Sequence, residues 1–155
     1  MEHHAHHHQQ QSLTRSAVRA TLHCLTGCAI GEVLGMVLAT ALGLNDAGSI
    51  ALAVALAFAF GYALTLGPVV RSGVALRQAF GIALAADTVS ITTMEIVDNA
   101  FILLVPGALA AGLGDGLFWW SLAISLLVAF VLTVPVNRWL IARGRGHAVV
   151  HHLHE

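Results

Sequence analysis

Polar residues in this chain gather at its two ends and at a few short interruptions, and between them the sequence runs in long apolar stretches. A helix rising about 1.5 Å per residue needs about 20 apolar residues to cross the hydrocarbon core of a bilayer. Leu22 to Leu44, Ile50 to Leu66 and Leu117 to Val136 read as three such spans. Asn45, Asp46, Gly48 and Ser49 make a turn after the first, Gly67 and Pro68 end the second, and Pro135 lies late in the last. Arg15 and Arg19 ahead of the first span imitate the start of a signal peptide. The apolar run is too long for one and lacks a small-residue cleavage site, so it reads as an uncleaved span.

A further stretch, Ala83 to Val105, is apolar on average but carries Asp87, Glu95 and Asp98. Each acid costs about 2.5 to 3.5 kcal/mol at the centre of an inserted helix. Arginine placement decides how to read it. Arg15 and Arg19 precede the first span, Arg71 and Arg77 follow the second, and Arg138, Arg143 and Arg145 close the chain, whereas the turns at Asn45 to Ser49 and Gly112 to Gly116 carry none. Under the positive-inside rule this pattern fits four crossings with both termini in the cytoplasm, whereas the alternative, a helix lying in the interface, leaves three crossings and puts the C-terminal arginines outside. The expected architecture is all-α, an integral membrane bundle of four transmembrane helices. Residues 1–20 form a His-rich polar tail, 21–141 the four-helix domain and 142–155 a second His-rich tail. Arg71 to Leu84 is a cytoplasmic link, read as a short amphipathic helix along the surface.

Composition sharpens this picture. The chain of 155 residues is 57% hydrophobic and 10% charged, with a mean hydropathy of +0.81, so water is a poor solvent for it. A formal net charge of -1 and the absence of lysine give no basis for nucleic-acid binding. No nucleotide-binding, triad or glycosidase pattern occurs, which speaks against an enzyme and against ATP-driven pumping by this chain alone. Cys24 and Cys28 stack on one helix face, which disfavours a disulfide framework. Their spacing also lacks the C-x-x-C arrangement of a redox enzyme.

At about 100° per residue, Cys24, Gly27, Cys28, Gly31, Glu32 and Gly35 share one broad face of the first helix. Gly27, Gly31 and Gly35, continued by Ala39 and Gly43, repeat a small-xxx-small pattern that lets a neighbouring backbone approach closely. His23 borders the same face. On the Ala83 to Val105 helix, Asp87, Ser90, Met94, Glu95 and Asp98 likewise fall on one side. With both helices running outward, Asp87 lies level with Cys24 to Cys28, and Glu95 and Asp98 near the depth of Glu32 and Met36. The two faces can meet as one polar seam.

His23, Cys24, Cys28 and Glu32 offer imidazole, thiolate and carboxylate along one side of a helix, with Met36 a turn further and Met94, Glu95 and Asp98 opposite. Soft sulfur ligands suit Cu(I), and a Cys2His set with a carboxylate suits zinc. The structural alternative is small-residue packing, since free cysteine behaves as a small hydrophobe. For Asp87, Glu95 and Asp98 the functional reading is an ion pathway or proton relay. The structural one is a set of neutral, hydrogen-bonded acids joined by Thr92 and Asn99. All but His23 of the ten histidines lie in the tails, at His3, His4, His6, His7, His8, His147, His151, His152 and His154. His-rich tracts capture metal weakly, although the first tract also resembles a purification tag. Trp119 and Trp120 read as aromatic-belt anchors.

The segments HCLTGCAIGEVLGM (His23 to Met36) and TTMEIVDNAF (Thr92 to Phe101) resemble the bacterial membrane proteins grouped as domain of unknown function 4396, over roughly Ala20 to Leu140. The resemblance implies a multi-pass protein of the bacterial inner membrane. It directs attention to Met94, Glu95, Asp98 and Asn99 without naming an activity. The expected function is binding, and transport, of a transition metal ion through a seam between the first and third helices, with Cu(I) favoured over zinc. Asp87 is a further candidate for the pathway. The expected partners are the lipid bilayer, further copies of the chain in a homo-oligomer and a metal donor or acceptor protein. Two other readings stand beside it: a structural or partner-interaction module with a hydrogen-bonded polar core, and a proton-coupled small transporter.

Overall fold

The computed structural model describes residues 2–73 and 75–143. Arg145 and the C-terminal histidines lie outside the described residues, and of His3 to His8 only the helical backbone is described. The described chain is all-α, with four helices and no strands. They are α1 (Glu2–Leu42), α2 (Asp46–Arg71), α3 (Leu76–Leu104) and α4 (Gly116–Ala142). α1 over Gln11–Leu42, α2 and α4 are each long and apolar enough to cross a membrane, which points to a membrane protein. At 29 residues α3 has the length, about 43 Å, but its acids and Arg77 dilute its hydropathy.

Local chemistry explains where each helix stops. Gly43 takes the left-handed conformation (φ 63°), Leu44 N–H donates to Ala39 O at 3.0 Å and Gly43 N–H to Thr40 O at 3.3 Å. This is the Schellman arrangement that satisfies the last carbonyls of a helix. Asn45 then caps α2, its Oδ1 accepting from Gly48 N–H at 2.9 Å. α3 ends before Pro106, which forces its predecessor into extended backbone, as Val105 shows. The crossing to α4 is a series of tight turns held by Asp115 Oδ2 accepting from Gly112 N–H at 2.7 Å.

Three boundaries differ from those the sequence predicts. α1 continues back through the polar tail to Glu2, because nothing between Glu2 and Leu22 breaks a helix. Pro68 lies inside α2 instead of ending it, as Pro135 lies inside α4. Each proline removes one backbone donor, but the turn after it recovers partners, as where Ser72 N–H donates to Pro68 O at 3.1 Å. The link from Arg71 to Leu84 is not a separate surface helix. From Leu76 onward it is the first part of α3, since Gly81 alone is too weak a breaker to interrupt it.

α1 and α2 pack backbone to backbone. Gly27 faces Gly61, Gly31 faces Ala57 and Gly35 faces Ala53, each step of four along α1 matched by four back along α2. A Cβ on Gly27 would lie 2.8 Å from the Gly61 Cα, and one on Gly35 2.7 Å from the Ala53 Cα. The backbone that these α1 glycines admit is that of α2 in the same chain. Around this pair the usual arrangement of a water-soluble protein is reversed. Asp87, Ser90, Glu95, Asp98, Ser125, Thr133 and Asn137 are buried, while Leu42, Leu76, Ile96, Leu103, Leu104 and Leu127 are exposed. All the described arginines, from Arg15 to Arg143, sit on the helix segments at one end of the bundle. Asp46 and Asp115 mark the other.

Candidate functional site

The seam is built in layers, and the layer nearest the arginine end is a hydrogen-bonded clamp. Thr21 on α1 donates to Ala17 O at 2.8 Å and accepts from Asn137 Nδ2 on α4 at 2.9 Å, and the Asn137 Oδ1 accepts from Ser90 on α3. All three side chains are buried, so three helices are joined through one amide. Beside this clamp His23 shares a hydrogen bond with Thr65 of α2, Nε2 to Oγ1 at 3.1 Å. The imidazole does not join the two thiols. His23 precedes Cys24 by one residue, about 100° around the helix, and that rotation turns it toward α2.

One turn further in, the Cys24 thiol donates to Asp87 Oδ1 at 3.7 Å, with Ser90 alongside. Asp87 and Cys24 are 0% and 1% exposed. The next layer pairs sulfur with sulfur: Cys28 Sγ lies 4.0 Å from Met94 Sδ, and the Glu95 carboxyl adjoins the same thiol. Asn99 holds Glu95 in place, its Nδ2 donating to the Glu95 backbone O at 2.8 Å and to Oε2 at 3.4 Å. Thr92, a candidate for the same network, is exposed and takes no part in it.

In the fourth layer the carboxyls of Glu32 of α1 and Asp98 of α3 lie side by side, with Glu95 close by, and the Ser125 hydroxyl of α4 donates to Asp98 Oδ1. Two carboxylates in contact in a dry interior repel strongly unless a proton or a cation lies between them. One oxygen of each acid, Glu32 Oε1, Glu95 Oε1 and Asp98 Oδ2, is buried with no hydrogen-bond partner. Such orphaned acceptors are rare in native interiors and mark a place where something else binds or where chemistry needs them.

Beyond Glu32 the seam meets a cavity of about 370 Å³ between the ends of α1, α2, α3 and α4. Met36 lines this cavity, its thioether accepting from Thr40 Oγ1 at 3.8 Å, and so stands apart from the Cys28 and Met94 pair. The candidate residues thus separate into two groups. Cys24, Cys28, Glu32, Asp87, Met94, Glu95 and Asp98 form a continuous line, whereas His23 and Met36 point elsewhere and Gly27, Gly31 and Gly35 serve the α1–α2 contact. Among the described residues no three His, Cys, Asp or Glu side chains are grouped as they would be around a metal ion. The arrangement provides instead a soft pair with one neighbouring carboxyl, flanked by acids on either side.

The contribution of α4 is what inspection of α1 and α3 misses. Ser121, Ser125, Ala129, Thr133 and Asn137 recur every four residues and form its buried stripe. That spacing was available in the sequence as a small and polar line through an otherwise apolar helix. Comparison with curated proteins and with solved structures gives no match. Residues 14–146 match the family described as a domain of unknown function, DUF4396, and the chain belongs to that family.

Proposed function

We propose that this chain is a four-span protein of the bacterial inner membrane, both termini cytoplasmic, that binds and carries a soft transition-metal cation, Cu(I) foremost, along the α1–α3 seam. The observation that carries the reading is the Cys28 and Met94 pair, buried and 4.0 Å apart, with Glu95 adjoining the thiol. Two metal–sulfur bonds of about 2.3 Å reach across that separation. Soft thiolate and thioether donors select a soft ion, whereas a structural zinc site asks for four ligands. The acids before and after the pair would give a cation successive partners instead of one deep trap.

The fourth crossing rests on how α3 distributes its residues. Its acids are buried, and Phe80, Leu84, Val89, Ile96, Leu103 and Leu104 face outward. A helix that hides carboxyls and exposes aliphatic side chains suits lipid, whatever its average hydropathy. On α4, Trp120 and Trp139 are 19 residues apart by number, about 29 Å of helix, which matches the hydrocarbon thickness and sets one aromatic at each interface. Arg143 stacks over Trp139 at 4.2 Å, at the arginine-rich end that the positive-inside rule assigns to the cytoplasm. A homo-oligomer and a metal donor or acceptor protein belong to the same proposal. Their contacts must use surfaces other than the α1 glycines.

A second reading, a proton-coupled small transporter, is favoured by the three orphaned carboxyl oxygens of Glu32, Glu95 and Asp98. The test that separates the two is elemental analysis of purified full-length protein whose tail histidines are replaced by serine, loaded with Cu(I) under reducing conditions. Near-stoichiometric copper that disappears in the Cys24→Ser/Cys28→Ser variant is the expected result. Absence of copper in the parent protein would overturn the metal reading. Proton uptake by reconstituted vesicles would then decide between transport and a purely structural polar core.

A further inference from the structure

The cavity at the acidic end has a chemistry that the seam alone does not explain. Glu32, Asn99 and Ser121 line it where it meets the seam, and Asp46 and Ser49 line it at the first turn of α2. Asp46 is exposed at the helix terminus and Ser121 is buried, so the lining runs from surface to interior. None of the described lining residues is basic. Behind Glu32, the acids Glu95 and Asp98 are 5% and 2% exposed and each keeps an unpartnered oxygen. An acidic passage with low-dielectric walls concentrates cations and repels anions. Its volume of about 370 Å³ holds several waters, each taking about 30 Å³ in the liquid.

We infer that this cavity is a water-filled vestibule selective for small inorganic cations. It opens at the end of the bundle opposite the arginines and delivers the ion to Glu32 and from there to the Asp98 and Glu95 carboxyls. This deepens the cation-carrying reading and rests on it. Asp46 draws cations to the mouth, and Glu32 is the next carboxyl that an entering ion meets. Asn99, which holds Glu95 through two contacts, couples the vestibule wall to the sulfur layer.

The inference is tested by thiol labelling of full-length protein in vesicles. Met36→Cys and, as a second variant at the rim, Ser49→Cys are treated with methanethiosulfonate reagents of opposite charge. The native thiols are 1% exposed, and unsubstituted protein serves as the blank. Ile124→Cys, on the outward face of α4, is the lipid-facing control. The expected result is labelling of both vestibule positions by the cationic reagent at least tenfold faster than by the anionic one, after correction for their rates with free thiol. Asp46→Asn/Glu32→Gln should abolish that preference, and Ile124→Cys should stay unlabelled. Equal rates for the two reagents, or no labelling at either vestibule position, would overturn the inference. The readout requires no bound metal. A chain that fails to load copper yet keeps the charge preference defeats the soft-metal reading alone, and one that loads copper with an unlabelled vestibule defeats this inference alone.

Discussion

α1 carries two unlike surfaces on one cylinder, and the contrast between them separates what holds this protein together from what it has for a task. Toward α2 it presents Gly27, Gly31 and Gly35 against Gly61, Ala57 and Ala53, a contact with no polar side chain and no room for another carbon. Toward α3 it presents Cys24, Cys28 and Glu32 against Asp87, Met94, Glu95 and Asp98. In lipid the first kind of contact gains dispersion energy over many close atoms at little desolvation cost. The second leaves three carboxyl oxygens without partners and brings acids into contact. A helix pair selected for stability alone would resemble the first surface throughout.

The largest effect is expected where the comparison is most direct. Gly31→Leu would drive its Cβ into the backbone of α2, within 2.9 Å of the Leu56 carbonyl carbon and nearer still to Ala57. Overpacking against backbone costs about 3 kcal/mol or more, because no rotamer relieves it. Thermal unfolding in detergent should show the loss, while Cys28→Ser on the surface turned to α3 should change the midpoint little. If the leucine variant melts like the parent, the α1–α2 contact is not the stabilising one.

Next in size is Asn137→Leu. Its amide links Thr21 to Ser90, and without it α4 loses its polar tie to α1 and one of its polar ties to α3, the Ser125 to Asp98 bond remaining. Both hydroxyls have backbone carbonyls to fall back on, as Thr21 already does with Ala17. The expected cost is therefore about 1 to 2 kcal/mol, not more. Denaturant titration measures it, and Thr21→Val combined with Asn137→Leu should cost less than the sum of the two singly. Strict additivity would show that the clamp does not act as a unit. Smaller again is Ser125→Ala, which removes one donor from Asp98. Interhelical hydrogen bonds in membranes average about 0.6 kcal/mol, and a loss near that value in the same titration is expected.

How far these two surfaces could be read in advance follows from what helical periodicity encodes. Rotation of about 100° per residue is enough to gather Cys24, Cys28 and Glu32 on one side of α1 and Asp87, Met94 and Asp98 on one side of α3. The depth at which Cys24 meets Asp87 also follows from counting residues. Periodicity does not say which neighbour a face meets, and so the glycines and the thiols read as one broad face although α2 takes the glycines and α3 the thiols. His23 illustrates the same limit: it borders both surfaces on the helical wheel, and only the position of Thr65 on α2 decides between them. Pro68 misleads as a stop because a proline near the end of a long apolar helix loses one hydrogen bond, which does not outweigh burying the next turn. Membership of the family was legible from the motifs around His23 to Met36 and Thr92 to Phe101, and those same motifs hold most of the seam.

The smallest stability effect should fall at Glu95, and its sign is the sharpest use of the comparison. Glu95 is 5% exposed, keeps one oxygen unpartnered and stands beside both Cys28 and Asp98. Replacing such a group by an apolar side chain of similar length removes a desolvation cost and a repulsion and fills the same space. Glu95→Leu should leave stability unchanged within about 0.5 kcal/mol or raise it slightly. Gly31→Ala, a far smaller change in volume, should lower it, since even one carbon meets backbone there. Copper loading should respond in the opposite order, weakened by Glu95→Leu, which offers no donor beside the Cys28 and Met94 pair, and retained in whatever fraction of Gly31→Ala folds. Such a crossover, with melting and metal content measured on the same preparations, is the behaviour of a scaffold face and a working face sharing one helix. If Glu95→Leu instead destabilises the protein by more than Gly31→Ala, the carboxyl belongs to the scaffold, and the seam is a structural core in spite of its orphaned oxygens.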